Sequence, residues 1–388
     1  MNTLPIKLEQ HTPILHFQAD LADAGATLRV TELKPKLDRY LSANSEIKKE
    51  WRIPKTNALN YKLKITVGQP AKELGSKPPM FFGQGKKPLL LSETMTLQFF
   101  CLIPGLRDCL QNIDWIKFFL STNFGTRQTK GYGSFFEYDA PAPINFIGKE
   151  IKTDEKTTYR VDSYFCPKSK TWEGVMNEIS DVYKCLRSGI NEGGQNDGIY
   201  FKSLMFAYAK SKGQWWDKRV IKEVFFPEKL EVHRKKHKGR TDPDPLAEQP
   251  RVEPNKSPYP MFRDNLGLAT DEFWKDYSFK VKKKGPKDIV RFKSPILFKP
   301  LFIDNQWYVF ILHREIPKEF RNASFTIRKD YTQLGFKTYN NFSMKDFLNY
   351  VFTIENYRRY LSKNNDSKRA DTILGNLEEI KNNYEPLL

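Results

Sequence analysis

Apolar residues along positions 1–140 recur with two different periods. An amphipathic helix that starts near Pro35 is predicted by apolar residues at helical spacing, namely Val30, Leu33, Leu37, Tyr40 and Leu41. The apolar run over residues 14–17 predicts the opening strand. The pattern then predicts, in chain order, a strand over 60–67, a strand over 89–103, a helix over 106–120 and a strand over 134–138. This β-α-β-β-α-β order is that of a ferredoxin-like unit.

The rest of the chain carries a second set of elements around a polar segment. The pattern predicts a strand over 158–165, a helix over 172–186, a strand or helix over 201–210, paired strands over 291–300 and 306–312, and a helical tail over 344–387. Residues 229–256 lack apolar periodicity and include a basic run, which predicts a flexible basic insertion. We therefore predict an α+β protein of two ferredoxin-like (RRM-like) β-α-β-β-α-β domains with loop insertions, over residues 1–150 and 151–388.

The large positive net charge of the chain favours a negatively charged binding partner. The net charge is +18 and the isoelectric point is about 9.5. Such an excess opposes compaction and is usually neutralised by a partner, most often nucleic acid. An anionic membrane surface, an acidic protein and a simply lysine-rich soluble surface are the alternatives. Aromatic residues make up 14% of the chain, which is enough for a sizeable core.

The cysteines and the N-terminus exclude several other classes. Cys101, Cys109, Cys166 and Cys185 form no CxxC pair, so we predict reduced cysteines and neither a metal site nor a cofactor. The first residues lack the apolar core of a signal peptide, and no segment reaches the length of a membrane span. These features predict a cytoplasmic protein that does not contact a membrane.

A glycine-rich segment lies between the second predicted helix and the last strand of the first unit. It comprises Gly125, Thr126, Arg127, Gln128, Thr129, Lys130, Gly131, Tyr132, Gly133 and Ser134. Glycine permits positive φ, and its N–H groups can face phosphate oxygens. Arg127 and Lys130 can add charge-assisted bonds to phosphate. The segment predicts binding to an RNA backbone; a tight glycine turn with two solvated cations is the alternative.

The beginning of the first predicted helix is also basic. Gly25 allows a turn into the helix and Thr27 can cap it. A helix N-terminus favours phosphate. The cations that we assign to RNA binding there are Arg29, Lys34, Lys36 and Arg39. A solvated helix face is the competing interpretation.

The glycine-rich segment resembles the signature of the RAMP superfamily, the ferredoxin-like RNA-binding proteins of CRISPR systems. The matching residues are Gly125, Arg127, Lys130, Gly131, Tyr132, Gly133 and Ser134. Three other segments, at 12–13, 25–29 and 291–300, resemble the branch formed by the first subunits of Cmr (type III-B) effector complexes. One departure is the stretch 30–36, where that branch usually has an aromatic, arginine-rich sequence.

The resemblance implies a pair of ferredoxin-like domains and a non-catalytic role. The implied partners are guide RNA, mainly its 3′ portion, target RNA and neighbouring subunits of the effector complex. The competing hypothesis is a metal-independent endoribonuclease that matures guide RNA, with His16 or His11 as the acid–base group. A basic adaptor for an acidic protein is a third reading. The acidic residues form no D-x-D or H-E-x-x-H pattern, so two-metal hydrolysis lacks its ligands.

Overall fold

The computed structural model of the chain describes residues 5–16, 28–69, 72–74, 89–192, 198–229, 231, 257–274, 278–286, 289, 291–361 and 367–386. These residues belong to two units. The first unit comprises residues 1–180, 296–314 and 375–388, and the second comprises 181–295 and 315–374. Within the described residues, no helix has the length and apolar character that crossing a membrane requires.

The N-terminal elements build a four-stranded antiparallel sheet. In chain order they are β1 (Ile6–Gln10), α1 (Val30–Asn44), β2 (Lys62–Val67), β3 (Lys72–Leu74), β4 (Leu89–Leu91), β5 (Thr94–Phe100), α2 (Pro104–Gln111), α3 (Trp115–Leu120) and β6 (Phe135–Glu137). The sheet has the order β2-β5-β1-β6, and β3 pairs with β4 separately. Strands β1, β2, β5 and β6 with their helices follow the predicted β-α-β-β-α-β order. The predicted α+β class is confirmed.

The remaining elements complete the chain. They are β7 (Glu150–Lys152), β8 (Thr158–Phe165), α4 (Trp172–Arg187), β9 (Ile190–Glu192), β10 (Ile199–Phe201), α5 (Leu204–Ser211), α6 (Asp217–Phe225), β11 (Tyr259–Met261), β12 (Leu268–Ala269), β13 (Asp271–Trp274), β14 (Phe279–Lys284), β15 (Arg291–Phe292), β16 (Ile296–Ile303), β17 (Gln306–His313), β18 (Ser324–Lys329), β19 (Thr332–Thr338), α7 (Met344–Phe352) and α8 (Lys368–Asn382).

The first unit contains a second four-stranded sheet, in the order β16-β17-β8-β7. The series β8, α4, β16, β17 repeats the β-α-β-β order, and β7 takes the edge beside β8. Asp304 and Asn305 join β16 to β17 with φ of 50° and 59°, the turn geometry that hairpins favour. The predicted pairing of these two strands is confirmed.

In the second unit, five strands form a sheet in the order β11-β19-β18-β14-β13. A buried ionic cluster lies beside it, because Lys283 Nζ is 2.7 Å from an Asp264 oxygen and 2.9 Å from a Glu272 oxygen. Arg263 Nη2 lies 2.9 Å from the other Glu272 oxygen. Each buried charge therefore has an opposite charge in contact.

Two predictions about the N-terminal elements were wrong. The opening strand is β1, not residues 14–17, because Pro13 removes a donor and Ile14 forms only an isolated bridge with Leu90. Helix α1 begins at Val30, five residues before Pro35. Pro35 is exposed, so the backbone donor that the helix lacks at this residue is on the side that faces solvent.

Candidate nucleic-acid interface

The glycine-rich segment forms a closed loop between α3 and β6. Asn123 and Ser134 form an antiparallel bridge at its base, and the Phe124 N–H donates to the Gly133 carbonyl at 2.9 Å. The Asn123 side chain donates to the Gln128 carbonyl at 2.7 Å across the loop. The path of the loop is therefore fixed by its own hydrogen bonds.

Glycine is required at two positions of this loop. Gly133 has φ of +66°, and a Cβ atom there would lie 2.1 Å from the Phe124 carbonyl oxygen. Gly125 has φ of +74°, and its Cβ would lie 2.7 Å from the Leu15 carbonyl oxygen. Both positions combine left-handed backbone with a close backbone approach, which a side chain would prevent.

The glycine N–H groups are engaged within the protein. Gly131 donates to the Gln128 carbonyl at 3.2 Å, and Gly133 donates to the Pro13 carbonyl at 2.9 Å. This differs from the sequence-based expectation that the glycine N–H groups face phosphate. The groups that the loop leaves for a ligand are therefore those of its side chains, on a backbone whose path the glycines determine.

Two distant segments anchor the loop. Thr12 Oγ1 donates to the Gly131 carbonyl at 2.6 Å and accepts the Ser134 N–H at 3.0 Å. Ser134 Oγ donates to the Pro300 carbonyl of β16 at 2.7 Å. Phe298 of the same strand accepts from the Asn123 side chain at 2.9 Å. The segment before the loop and a strand far later in the chain thus hold the same turn.

Lys299, which the sequence analysis missed, lies beneath the loop. Its side chain is fully buried, and Nζ donates to the carbonyls of Phe135 at 2.7 Å and Thr122 at 3.1 Å and to Asn123 Oδ1 at 3.2 Å. Burial, and secondarily the charge of Lys36, lowers the pKa of Lys299 well below its ordinary value. The signal available in the sequence was a lysine in the middle of an otherwise apolar strand.

Helix α1 connects to the loop through Lys36. Its ammonium donates to the Asn123 carbonyl and, at 2.7 Å, to Gln128 Oε1. Residues Arg29 and Arg39 lie within 80° of Lys36 around the helix axis, given about 100° per residue. The predicted cations Arg29, Lys36 and Arg39 therefore share the side of α1 that meets the loop.

Lys34 lies on the other side of α1. It forms an ion pair with Asp38 at 2.9 Å, donates to the Leu59 carbonyl at 2.8 Å and lies 3.9 Å from the centre of the Tyr61 ring. These contacts are with residues around β2, so the structure does not bring Lys34 together with the loop.

The remaining loop residues differ in their access to solvent. Arg127 is partly exposed and has φ of 56°, an uncommon backbone conformation for a residue with a side chain. Arg39 is exposed, whereas Lys130 Nζ and two nitrogens of Arg29 are buried. Tyr132 is fully buried, and Thr126 donates its N–H to the Leu15 carbonyl at 2.8 Å. Arg127 and Arg39 are thus the cations an RNA backbone can reach most readily.

The two histidines considered for catalysis are buried. His16 Nδ1 lies 3.0 Å from Glu32 Oε1 in the first turn of α1. Burial raises the pKa of Glu32, but the hydrogen bonds from His16 and from the Gly125 N–H outweigh burial, so the pKa of Glu32 lies below its ordinary value. His11 Nδ1 accepts the Phe302 N–H at 2.9 Å. Burial, followed by the charge of Lys299, lowers the pKa of His11 to about 3, so this imidazole is neutral at pH 7.

Several predicted features lie outside the described residues. They are the helix-start residues Gly25 and Thr27 and nearly all of the basic insertion 229–256. In the part of the chain that the structure describes, no three histidine, cysteine, aspartate or glutamate side chains are grouped to hold a metal ion.

Two family models match the sequence over most of its length. The Cmr1 N-terminal domain matches residues 1–190, and the Cmr1 C-terminal domain matches residues 200–382. No curated protein matches. Among solved structures, the crystal structure of Cmr1 from Pyrococcus furiosus in its apo form is similar, with 11% identity, a TM-score of 0.38, and coverage of 80% of this chain and 87% of that chain. At this TM-score the likeness carries no argument, so the family assignment rests on the two domain models.

Proposed function

Because this chain belongs to the Cmr1 family, the RAMP subunits of type III-B CRISPR effector complexes, we propose that it binds RNA in such a complex without cleaving it. The ligand is the sugar–phosphate backbone of guide RNA, mainly in its 3′ portion, or of target RNA. Neighbouring subunits of the complex are its protein partners. The contact surface consists of the glycine-rich loop and the adjoining side of α1, which together are called the loop surface below.

The single observation that supports this proposal most is the hydrogen-bonded junction between α1 and the loop. Lys36 joins the two elements, and the loop backbone is fixed by Thr12 and by β16. Arg39 and Arg127 therefore project from two elements that are held in a fixed relation. A guanidinium group is planar, and each of the two can bind two phosphate oxygens.

The test is RNA binding by the full chain, measured by fluorescence anisotropy with a labelled single-stranded RNA. If roughly four to six phosphates are neutralised, log affinity should fall with log salt with a slope of about −3 to −4. Arg39→Ala with Arg127→Ala should weaken binding by roughly 2–4 kcal/mol and reduce the slope by about 1.4.

A charge-matched variant controls for nonspecific attraction. Lys49 and Lys156 are exposed lysines of the first unit outside the loop surface. Lys49→Ala with Lys156→Ala also removes two positive charges, but it should change the RNA affinity far less than Arg39→Ala with Arg127→Ala. Equal losses in the two double variants, with unchanged melting temperatures, would show that net charge alone attracts RNA, and the loop surface would lose its assigned role.

The absence of cleavage is a separate part of the proposal. A general base must reach its proton and have a pKa near the working pH, whereas the imidazole of His11 is buried and its pKa of about 3 makes it a weak base at pH 7. His16 is 1% exposed and already paired with Glu32. In a single-turnover assay on labelled repeat RNA, the full chain should leave the RNA intact with EDTA or with magnesium. Specific cleavage that disappears in His16→Ala while binding persists would establish the endoribonuclease instead.

A further inference from the structure

One face of the β2-β5-β1-β6 sheet carries a patch of exposed side chains. In the register of β2 with β5, Lys62 lies opposite Phe100, and Lys64 lies opposite Gln98. All four side chains are exposed. The alternate residue Phe99 is buried, as expected where neighbouring residues of a strand point to opposite faces. Lys62, Lys64, Gln98 and Phe100 are called the sheet patch below.

The aromatic residue of the sheet patch is accessible over much of its surface. Phe100 is 41% exposed, and Leu102, two residues later, is 76% exposed. Residues directly opposite on antiparallel strands have Cα atoms about 4.5–5.5 Å apart, so Lys62 stands beside the Phe100 ring. An exposed ring with an adjacent cation is the combination that stacks a base and contacts its phosphate.

In the part of the chain that the structure describes, the cations of the sheet patch have no carboxylate in contact. Among the described residues, neither Lys62 nor Lys64 forms an ion pair. They are two residues apart on one strand, which separates their Cα atoms by about 6.6 Å and points both to the same face. On β1 the same face carries both Lys7, whose Nζ lies 3.4 Å from the centre of the Tyr138 ring, and Glu9.

The register places the sheet patch far from the loop surface. The glycine-rich loop enters the sheet at Phe135, which pairs with Gln10 at the end of β1. Phe100 and Lys62 pair at the opposite end of the sheet, beyond the pair that Ile6 forms with Leu97. The two surfaces therefore lie at opposite ends of the same sheet, and a contact at one does not require a contact at the other.

We propose that the sheet patch is a second binding surface for single-stranded RNA, with a base stacked on Phe100 and phosphates held by Lys62 and Lys64. The charge of the face favours RNA over an apolar protein surface, because the ring is flanked by unpaired ammonium groups whose desolvation such a partner would not compensate. Gln98 adds an amide that can bond to a base edge or a sugar. An acidic protein is the competing partner, and the experiment below separates the two.

The experiment measures binding of a labelled single-stranded RNA to the full chain and to Phe100 variants. Loss of one stacked base costs about 1–3 kcal/mol, so Phe100→Ala should weaken binding roughly 5- to 150-fold. Phe100→Trp should retain affinity, whereas Phe100→Leu should behave like Phe100→Ala. Tyr331, a fully exposed aromatic residue on the β18–β19 hairpin, provides the matched control, and Tyr331→Ala should leave affinity unchanged.

The lysines supply a second, independent measurement. Lys62→Ala with Lys64→Ala should reduce the slope of log affinity against log salt by about 1.4, whereas Phe100→Ala should leave that slope unchanged. If Phe100→Leu binds as well as Phe100→Trp, or if Phe100→Ala matches Tyr331→Ala, stacking is absent and the proposal fails. It also fails if poly-glutamate binding falls as much as RNA binding in the lysine variant while Phe100→Ala affects neither.

The binding measurements on the sheet-patch variants can fail or succeed independently of those on the loop-surface variant. The loop-surface double variant can lose RNA binding while every sheet-patch variant keeps it, which would retain the function and reject this second surface. The converse result would retain the sheet patch and reject the loop surface. Melting temperatures of all variants identify any that fail to fold.

Discussion

Among the described residues, each unit contains one lysine whose whole residue is buried, and the ammonium groups of these two lysines have opposite kinds of surroundings. In the second unit, Lys283 lies against the carboxylates of Asp264 and Glu272. In the first unit, Lys299 lies against two backbone carbonyls and the side-chain oxygen of Asn123. The acceptors are comparable in number and distance, but only those of Lys283 carry negative charge.

The difference in charge between the acceptors of Lys283 and those of Lys299 indicates different roles for the two lysines. The charges around Lys283 are balanced within the unit, which makes that cluster a structural element. Around Lys299 the protein supplies dipoles without a compensating charge, and Lys36 adds a second cation nearby. A phosphate at the loop surface would provide the missing negative charge, which fits the proposed ligand.

The largest effect should come from removing the balanced cation. Lys283→Met leaves Asp264 and Glu272 buried with fewer compensating charges, so it should lower the free energy of unfolding by about 3–5 kcal/mol. Urea unfolding at pH 7 measures this value. Lys280→Met is the control, because Lys280 and Asp271 form an ion pair at 2.8 Å that is about half exposed, and such pairs contribute about 0–1 kcal/mol. Similar losses in both variants would remove the distinction between the two units.

The second largest effect should come from His11, because burial and the charge of Lys299 oppose protonation of its imidazole. The folded chain holds the pKa of His11 at about 3, against about 6.5 when unfolded, so the unfolded state binds more protons between those values. Stability should thus fall as pH decreases from about 6.5 towards 3. In His11→Asn, where Oδ1 can accept the Phe302 N–H, this loss is absent.

The measurement for His11 is the free energy of unfolding of wild type and variant at several pH values. The advantage of wild type should shrink by roughly 2–3 kcal/mol between pH 7 and pH 4.5, at about 1.4 kcal/mol per pH unit below the unfolded pKa. A difference that stays constant over this range would mean that His11 becomes protonated in the folded chain.

The smallest effect on the free energy of unfolding should come from replacing Lys299, the buried lysine without a carboxylate partner. Lys299→Met leaves the acceptors of Phe135, Thr122 and Asn123 unsatisfied, which costs about 1–3 kcal/mol, but it also removes a buried charge. The pKa of Lys299 is lower in the folded than in the unfolded chain, so the unfolded chain binds more protons than the folded chain up to about pH 10. The stability of the wild type therefore rises with pH over that range. The penalty of the substitution, measured by urea unfolding, should therefore grow from pH 7 to pH 10. A loss as large as that of Lys283→Met would contradict the comparison.

Local patterns predicted the elements better than the site. The helix over α4 and the hairpin of β16 and β17 follow from apolar spacing and turn residues, and both are present. The glycine-rich loop was identified because its glycines and cations are adjacent in the sequence, and the positive φ of Gly125 and Gly133 is a local property of the turn, whereas the close approach of Gly125 to Leu15 is not. By contrast, a contiguous apolar run was mistaken for the first strand, since β1 alternates and has only a few apolar residues.

What the sequence could not predict depends on long-range contacts. Nothing near Lys299 in the sequence indicates that its ammonium lies beneath a loop more than 150 residues earlier. Lys34 and Lys36 differ by two positions, yet one pairs with Asp38 and the other meets the loop, because each faces a different neighbour in three dimensions. Site assignments drawn from charge alone therefore mix exposed cations with cations that stabilise the fold.

The support of the loop by β16 has a consequence for the order of events during synthesis. The loop is complete at Ser134, but its partners Phe298, Lys299 and Pro300 are translated only after the whole segment 181–295 of the second unit. At about 5–20 residues per second, the ribosome needs roughly 8–33 s to reach them. During that interval the oxygens of Thr122, Asn123 and Phe135 have no lysine ammonium group from which to accept hydrogen bonds. The bonds within the glycine-rich turn can therefore form first, whereas the buried cation can be added only at a late stage of translation.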